Sequence, residues 1–242
     1  VAFAQEDGRA PFAERKMRAC EEAGVRVAAR ILSGRATTDD VRRAIAELLE
    51  DAGHDGGAPD GVFLEFPFPP GIDERAVMAA VPESLDIDAM TAGCVHRSLV
   101  EGLGPPPLTV SAGLELLDRY EVDVAGMDGL VVGDDSPFAR MFAAALARRG
   151  ARMRPITPAD APNLDQRVEA AQLVVAAAGR PGRIRAETLA PGAVAIDVGY
   201  YNPGGRGDID LSGGIAHLTA LAPVPGGIGP MTVSKLIERI IE

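Results

Sequence analysis

A chain of 242 residues with 47% hydrophobic side chains is long enough to bury one large core or two smaller ones. Its net charge of −11 works against nucleic acid or an anionic membrane surface as the main partner, because both require clustered Lys and Arg. No apolar run approaches the roughly 18 residues of a membrane span. Cys20 and Cys94 lie far apart without metal-ligand neighbours, and His54, His96 and His217 are scattered, so no metal site is expected and a reduced, cytoplasmic protein fits.

Residues 1–4 read as a first strand; Val1-Ala-Phe-Ala is too short for a signal peptide, and the chain is expected to begin inside that strand. Residues 11–23 predict a helix closed by Gly24, and residues 25–32 a strand. Thr38-Asp-Asp40 caps a helix with Val41, Ile45 and Leu48 at helical spacing, and a Gly- and Asp-rich loop follows at 51–59. Residues 61–66 read as a strand entering Pro67-Phe68-Pro69-Pro70, where an X-Pro bond can set a cis turn. Asp73 caps a further helix ended by Pro82. This alternation implies a parallel sheet with helices on its faces.

Pro105-Pro-Pro107 marks the next boundary. Residues 111–120 predict a helix, and a second alternating unit starts at Gly129-Leu-Val-Val-Gly133. Its helix covers 137–149 and stops at Gly150, with strands at 152–156, 173–177 and 193–198. The pattern is that of a dinucleotide-binding domain whose ligand edge lies at the C-terminal ends of its strands. Residues 223–232, Pro-Val-Pro-Gly-Gly-Ile-Gly-Pro-Met-Thr, cannot continue a helix or a central strand. They predict a rigid loop, either a ligand wall or a connector. From Thr232 a last helix carries Val233, Leu236, Ile237 and Ile240 on one stripe.

That loop resembles the C-terminal signature of the methylenetetrahydrofolate dehydrogenase/cyclohydrolase family. Similar stretches occur in the family's order: Lys16-Met-Arg-Ala-Cys-Glu-Glu-Ala-Gly24, Asp60-Gly-Val-Phe-Leu-Glu-Phe-Pro-Phe-Pro69, Leu85-Asp-Ile-Asp88, Gly179-Arg-Pro-Gly182 and Gly192-Ala-Val-Ala-Ile-Asp-Val-Gly199. The resemblance implies a two-domain α/β fold: an N-terminal catalytic domain (residues 1–107 with 229–242), and a Rossmann-like, doubly wound parallel sheet (residues 108–228) from which the last helix returns. It implies a folate substrate, with tetrahydrofolate as one-carbon carrier, and commonly a homodimer paired through the second domain.

The same resemblance assigns site residues. Phe12 and Lys16, four apart on one helix face, stand where the family has Tyr and Lys. There the lysine acts on the one-carbon unit, while the tyrosine stacks on the pterin. Phe12 keeps the ring and loses the hydroxyl. Glu65 stands where the family has Gln. An opposite charge at about 4 Å is worth roughly 4 kcal/mol at an effective dielectric near 20, so Glu65 is expected to pair with Lys16 and leave a poor general base for cyclohydrolysis. Asp88 matches the aspartate that accepts N–H bonds from the pterin edge, with Asp86 as a structural cap. Pro225, Gly226 and Gly227 supply the pterin loop.

For a nicotinamide cofactor, the resemblance points to Gly133, Ser136, Gly179 and Thr232. The turn Gly133-Asp-Asp-Ser-Pro-Phe-Ala-Arg140 departs from the family, which has an Arg-Ser pair after the first Gly and a second Gly at the position of Ala139. Asp134 and Asp135 place negative charge where phosphates would sit. Thr157-Pro-Ala-Asp160 carries no cation for a 2′-phosphate. These departures count against NADP, leave Asp160 as a route to NAD, and keep three readings open. The first is the bifunctional dehydrogenase/cyclohydrolase. The second is methylene transfer to an amine or carbon nucleophile of another metabolite without redox chemistry, and the third is a non-catalytic folate-binding module.

Overall fold

The structure, a computed structural model, describes residues 1–4, 10–54, 59–133, 136–157, 162–201 and 204–241. The chain forms two compact units, Val1–Arg97 with Val233–Glu242, and Ser98–Thr232. Among the described residues no helix is long and apolar enough to cross a membrane.

In the first unit, β1 (Ala2–Phe3) pairs in parallel with β2 (Ile31–Leu32), and between them runs α1 (Pro11–Glu22). Proline opens α1, where its missing N–H costs nothing, and Gly24 follows it at φ +82°. The inward stripe of α1 comprises Ala13, Lys16 and Cys20, so the periodicity that buries the two small residues also buries the lysine. Next come α2 (Thr38–His54) and α3 (Glu74–Met78), the latter capped by Asp73, whose side chain accepts the Ala76 N–H. Val41 and Ile45 of α2 pack with Leu64, Phe68, Val77 and Val81 to make this unit's core.

Two strands expected here are shorter or missing. Only Ile31 and Leu32 of residues 25–32 pair. Residues 61–66 are extended, with one isolated bridge, Val62 to Asp86, and two bonds to Val1: the Glu65 N–H donates to the Val1 carbonyl at 2.9 Å and the Val1 amino group donates to the Phe63 carbonyl at 2.8 Å. The chain leaves this segment through the cis peptide Phe66–Pro67 and then Pro69 and Pro70, which have no N–H to extend a ladder. A short 3₁₀ turn (Glu83–Leu85) and α4 (Ala92–His96) complete the stretch.

A π-helical turn, Arg97–Glu101, leads into the second unit, where α5 (Leu108–Arg119) starts three residues ahead of expectation. Then come β3 (Asp128–Val132), α6 (Pro137–Arg148), β4 (Arg152–Ile156), α7 (Leu164–Glu169) and β5 (Leu173–Ala176). They are followed by β6 (Ile184–Arg185), β7 (Val194–Asp197), β8 (Ile209–Asp210) and β9 (Ala220–Ala222). The main sheet runs β4-β3-β5-β7-β9, all parallel, and β6 pairs with β8 apart from it. Strand side chains alternate between two cores. Val131, Val175 and Ile196 meet Phe142 and Leu146 of α6 on one face, while Leu130, Val132 and Val174 meet Leu164 and Val168 of α7 on the other. Pro155 is accommodated because β4 is an edge strand.

Helix α8 (Ile228–Ile241) begins one turn before the expected Thr232. Pro230 falls within its first turn, where backbone N–H groups have no intrahelical acceptor, so a proline there does not delay the helix.

Candidate functional site

Lys16 is 6% exposed, and its Nζ donates to both carboxylate oxygens of Glu65, at 3.0 and 2.9 Å. The same nitrogen lies 4.3 Å from the centroid of the Phe12 ring and 4.3 Å from that of Phe63. The expected pairing of Lys16 with Glu65 and Phe12 is therefore present, in one unit, with α1 supplying Phe12 and Lys16 and the extended segment supplying Phe63 and Glu65. Sequence reasoning gave Phe63 no role. The signal was there, because residues two apart on an extended segment share a face, and Phe63 is two before Glu65.

Asp86 accepts the Thr91 N–H through Oδ2 at 2.6 Å, as a structural cap does. Asp88 is half-buried nearby, and the carbonyl of Ile87 between them accepts from Arg239 of α8 at 2.7 Å. Ala89 is buried at φ +56°, a left-handed conformation that a non-glycine residue adopts only when its surroundings impose it. The backbone that carries Asp88 is thus held from both sides.

In the second unit the predicted cofactor residues Gly133 and Gly179 and the loop with Pro225, Gly226 and Gly227 all follow the carboxyl ends of sheet strands, after β3, β5 and β9. Strand order reverses between β3 and β5, the place where open parallel sheets form a ligand crevice. Gly133 is closely packed, since a Cβ there would stand 3.1 Å from the Ala177 carbonyl oxygen, tighter than an ordinary contact. Ser136 caps α6, its Oγ accepting the Ala139 N–H at 3.3 Å. Val224–Pro225 is cis, and the Gly227 N–H returns to the Pro223 carbonyl at 2.8 Å, closing a tight turn that a Cβ on Gly227 would obstruct.

Thr232 is buried, with its hydroxyl donating to the Ile228 carbonyl at 3.0 Å, so that hydrogen is committed within α8. Asp134, Asp135 and Asp160 lie outside the described residues. A further element was missed. Asp208, fully buried, accepts the N–H groups of Ala178 and Arg180 and so fixes the loop that contains Gly179. Gly133, the capped start of α6 and this clamped loop thus lie at the edge where an open parallel sheet forms its ligand crevice. Among the described residues no three potential metal-ligating side chains come together.

An open parallel sheet with tight loops gathered at one edge defines a dinucleotide-binding type of α/β protein. Residues 107–242 match the family model for the tetrahydrofolate dehydrogenase/cyclohydrolase NAD(P)-binding domain. The chain is 34% identical over 236 residues to bifunctional protein FolD 1 of Streptomyces avermitilis, covering 96% of this chain and 78% of that one. It is 34% identical over 244 residues to bifunctional protein FolD 2 of Frankia casuarinae, covering 100% and 82%. Among solved structures it is similar to the Trypanosoma brucei methylenetetrahydrofolate dehydrogenase-cyclohydrolase complexed with NADP and inhibitor. That match has TM-score 0.85 and 27% identity, over 99% of this chain and 83% of that one. The chain belongs to the tetrahydrofolate dehydrogenase/cyclohydrolase family.

Proposed function

We propose that the protein is a folate-dependent one-carbon enzyme acting on 5,10-methylenetetrahydrofolate, with Lys16 and Glu65 as its reactive pair. Within the first unit, Phe12 stacks on the pterin and Asp88 binds its edge. The observation that carries this reading is the buried, two-pronged Lys16–Glu65 pair. It keeps the family's lysine while binding it to a carboxylate. Cyclohydrolysis needs a base to activate water, and an amine whose hydrogens go to a carboxylate and whose flanks are covered by rings serves poorly in that role. The same ammonium is well placed as a donor. Opening the imidazolidine ring of the substrate breaks a C–N bond and puts a proton on the departing nitrogen; Lys16 provides that proton, and Glu65 stabilises the cation before transfer.

Ring opening leaves the methylene carbon as an iminium on the other nitrogen, ready for a nucleophile. Oxidation instead takes a hydride from the intact imidazolidine ring and leaves both C–N bonds in the methenyl product, so the two outcomes diverge before the ring opens. Oxidation by a nicotinamide dinucleotide is favoured by the shape of the β3 and β5 edge and by the NAD(P)-binding domain that residues 107–242 match. Transfer to an amine or carbon nucleophile is favoured by Asp134 and Asp135 in the phosphate turn. The deciding experiment follows methenyltetrahydrofolate absorbance from methylenetetrahydrofolate with NADP and then NAD, beside calorimetric folate binding. Methenyl formation at an enzymatic rate establishes the dehydrogenase. Folate binding without oxidation, but with loss of substrate when nucleophiles are added, establishes transfer. Folate binding with neither leaves a binding module and refutes the enzymatic reading.

A further inference from the structure

The Lys16 ammonium is gripped by two elements, each bringing one ring. Phe12 precedes Lys16 by four residues on α1, and Phe63 precedes Glu65 by two on the extended segment. Helical spacing and strand spacing therefore each place a ring beside one member of the ion pair. The two ring centroids are equidistant from Nζ at 4.3 Å, within the range where a cation is drawn to a ring face. Lys16 is almost wholly removed from water, the setting in which that attraction is strongest. Of its three N–H bonds, two point to Glu65.

We propose that Phe63 is a positioning residue that closes a two-ring clamp on Lys16, so that the ammonium is fixed in place and its third N–H is held in one direction. This rests on the reading of Lys16 and Glu65 as the reactive pair. A side chain of similar bulk without a ring would fill the space but offer no negative face, so ring and volume can be separated by substitution.

The chain contains two lysines, Lys16 and Lys235, and that makes the clamp directly visible. Protein labelled with ¹³C-lysine yields two ε-methylene signals, and Lys235, paired with Glu238 one turn along α8, is the reference in the same spectrum. Protons above aromatic faces resonate upfield, so the Lys16 signal is expected upfield of Lys235. In Phe63→Leu it moves back toward Lys235, whereas in Phe63→Tyr it stays. With methylenetetrahydrofolate as substrate, Phe63→Leu lowers kcat about tenfold with KM little changed, as expected when orientation rather than binding is lost, and Phe63→Tyr restores it.

A Lys16 signal coincident with Lys235 in the parent protein overturns the clamp, as do identical spectra for the Leu and Tyr variants. An unchanged kcat in Phe63→Leu, once its Lys16 signal has moved, overturns the positioning role. Should Phe63→Leu misfold, seen as movement of the Lys235 signal as well, Phe12→Leu tests the clamp from the other element, with the same shift expected. Failure of the underlying functional reading looks different. Lys16→Ala then leaves turnover intact, while the parent spectrum still displays the upfield signal.

Discussion

Asp197 holds Asp208 by its backbone: Oδ1 of Asp197 accepts the Asp208 N–H at 3.0 Å, and both carboxylates are buried. Asp197 also accepts from Gly199 at 3.0 Å and Ile209 at 2.8 Å. Asp208 passes the constraint on, accepting from Ala178 at 2.8 Å, Arg180 at 3.0 Å and the Tyr201 hydroxyl at 2.9 Å. The end of β7 thereby fixes the loop after β5 through two carboxylates in series, each satisfied by N–H donors as burial of a charge demands.

The pair makes stability depend on pH in a defined direction. Burial pushes Asp197 up to about 6 from an ordinary 3.8, against the opposite pull of its N–H donors, and burial pushes Asp208 up as well. The folded chain therefore binds the Asp197 proton more tightly than the unfolded chain. Its contribution to stability rises as pH falls from about 6 toward 4, and is smallest above 6. The shift corresponds to a change on the order of 3 kcal/mol. Asp40, Asp128 and Asp210 are lowered and act oppositely, in a more acidic range, so the comparison is with Asp197→Asn. Urea midpoints at about pH 7 and about pH 4.5 are expected to show the parent gaining on the variant as pH falls. A difference independent of pH would falsify the assignment.

Gly207 is small for Asp197's sake. A Cβ on Gly207 would fall on the Asp197 carboxylate, which cannot yield without releasing its N–H donors. Overpacking of this kind costs about 1–3 kcal/mol, and a lost bond to a buried charge adds to it. Gly207→Ala is expected to lower stability by about 3 kcal/mol and to weaken protection of the Ala178 and Arg180 amides in hydrogen exchange. Full protection in a folded variant would mean that the loop does not depend on Asp197.

Much of this architecture is legible in the sequence where a local rule acts alone. β4 and α6 stand close to their expected bounds because apolar periodicity, Pro137 and Gly150 all agree. Residues 61–66 are extended as expected and bond Val1 through the Phe63 carbonyl and the Glu65 N–H, but the pairing stays at that contact and one bridge, and Pro67, Pro69 and Pro70 prevent a ladder from continuing past Phe66. The Lys16–Glu65 pair was legible from resemblance, whereas Phe63 required knowing that two elements converge. Asp197 and Asp208 were invisible for a similar reason: the bonds that join them to each other and to the loop after β5 go to backbone N–H groups 11 and 30 residues away in the chain.

Asp86 and Asp88 are expected to separate cleanly under substitution. Asp86 is committed to the Thr91 N–H, so Asp86→Ala should lower stability by about 1 kcal/mol and leave folate affinity alone. Asp88→Ala should do the reverse, weakening folate binding by about 2 kcal/mol, some thirtyfold, as the loss of charge-assisted bonds to an aminopyrimidine edge implies. Thermal melting beside calorimetric titration reads both. Equal folate affinity in the parent and Asp88→Ala would remove Asp88 from the pterin site.

If the Lys16–Glu65 pair is what suppresses hydrolysis, restoring the family's residues should release it. Glu65→Gln replaces a charge that accepts two N–H bonds with an amide that accepts through one oxygen, so the lysine loses its ion-pair partner and keeps one bond. Phe12→Tyr adds the missing hydroxyl on the ring that already touches Lys16. Each change alone removes one obstacle. Groups that act on one proton act as a unit, so the double variant should exceed the sum of the two single ones. We expect methenyltetrahydrofolate hydrolysis to rise about a hundredfold in the double variant, the scale of a general base regained, with folate affinity within about threefold of the parent because Asp88 is unchanged. Absorbance decay of methenyltetrahydrofolate above the buffer rate measures it. A parent protein that already hydrolyses the compound at an enzymatic rate, or a double variant that gains nothing while binding folate normally, would show that the ion pair does not control this step.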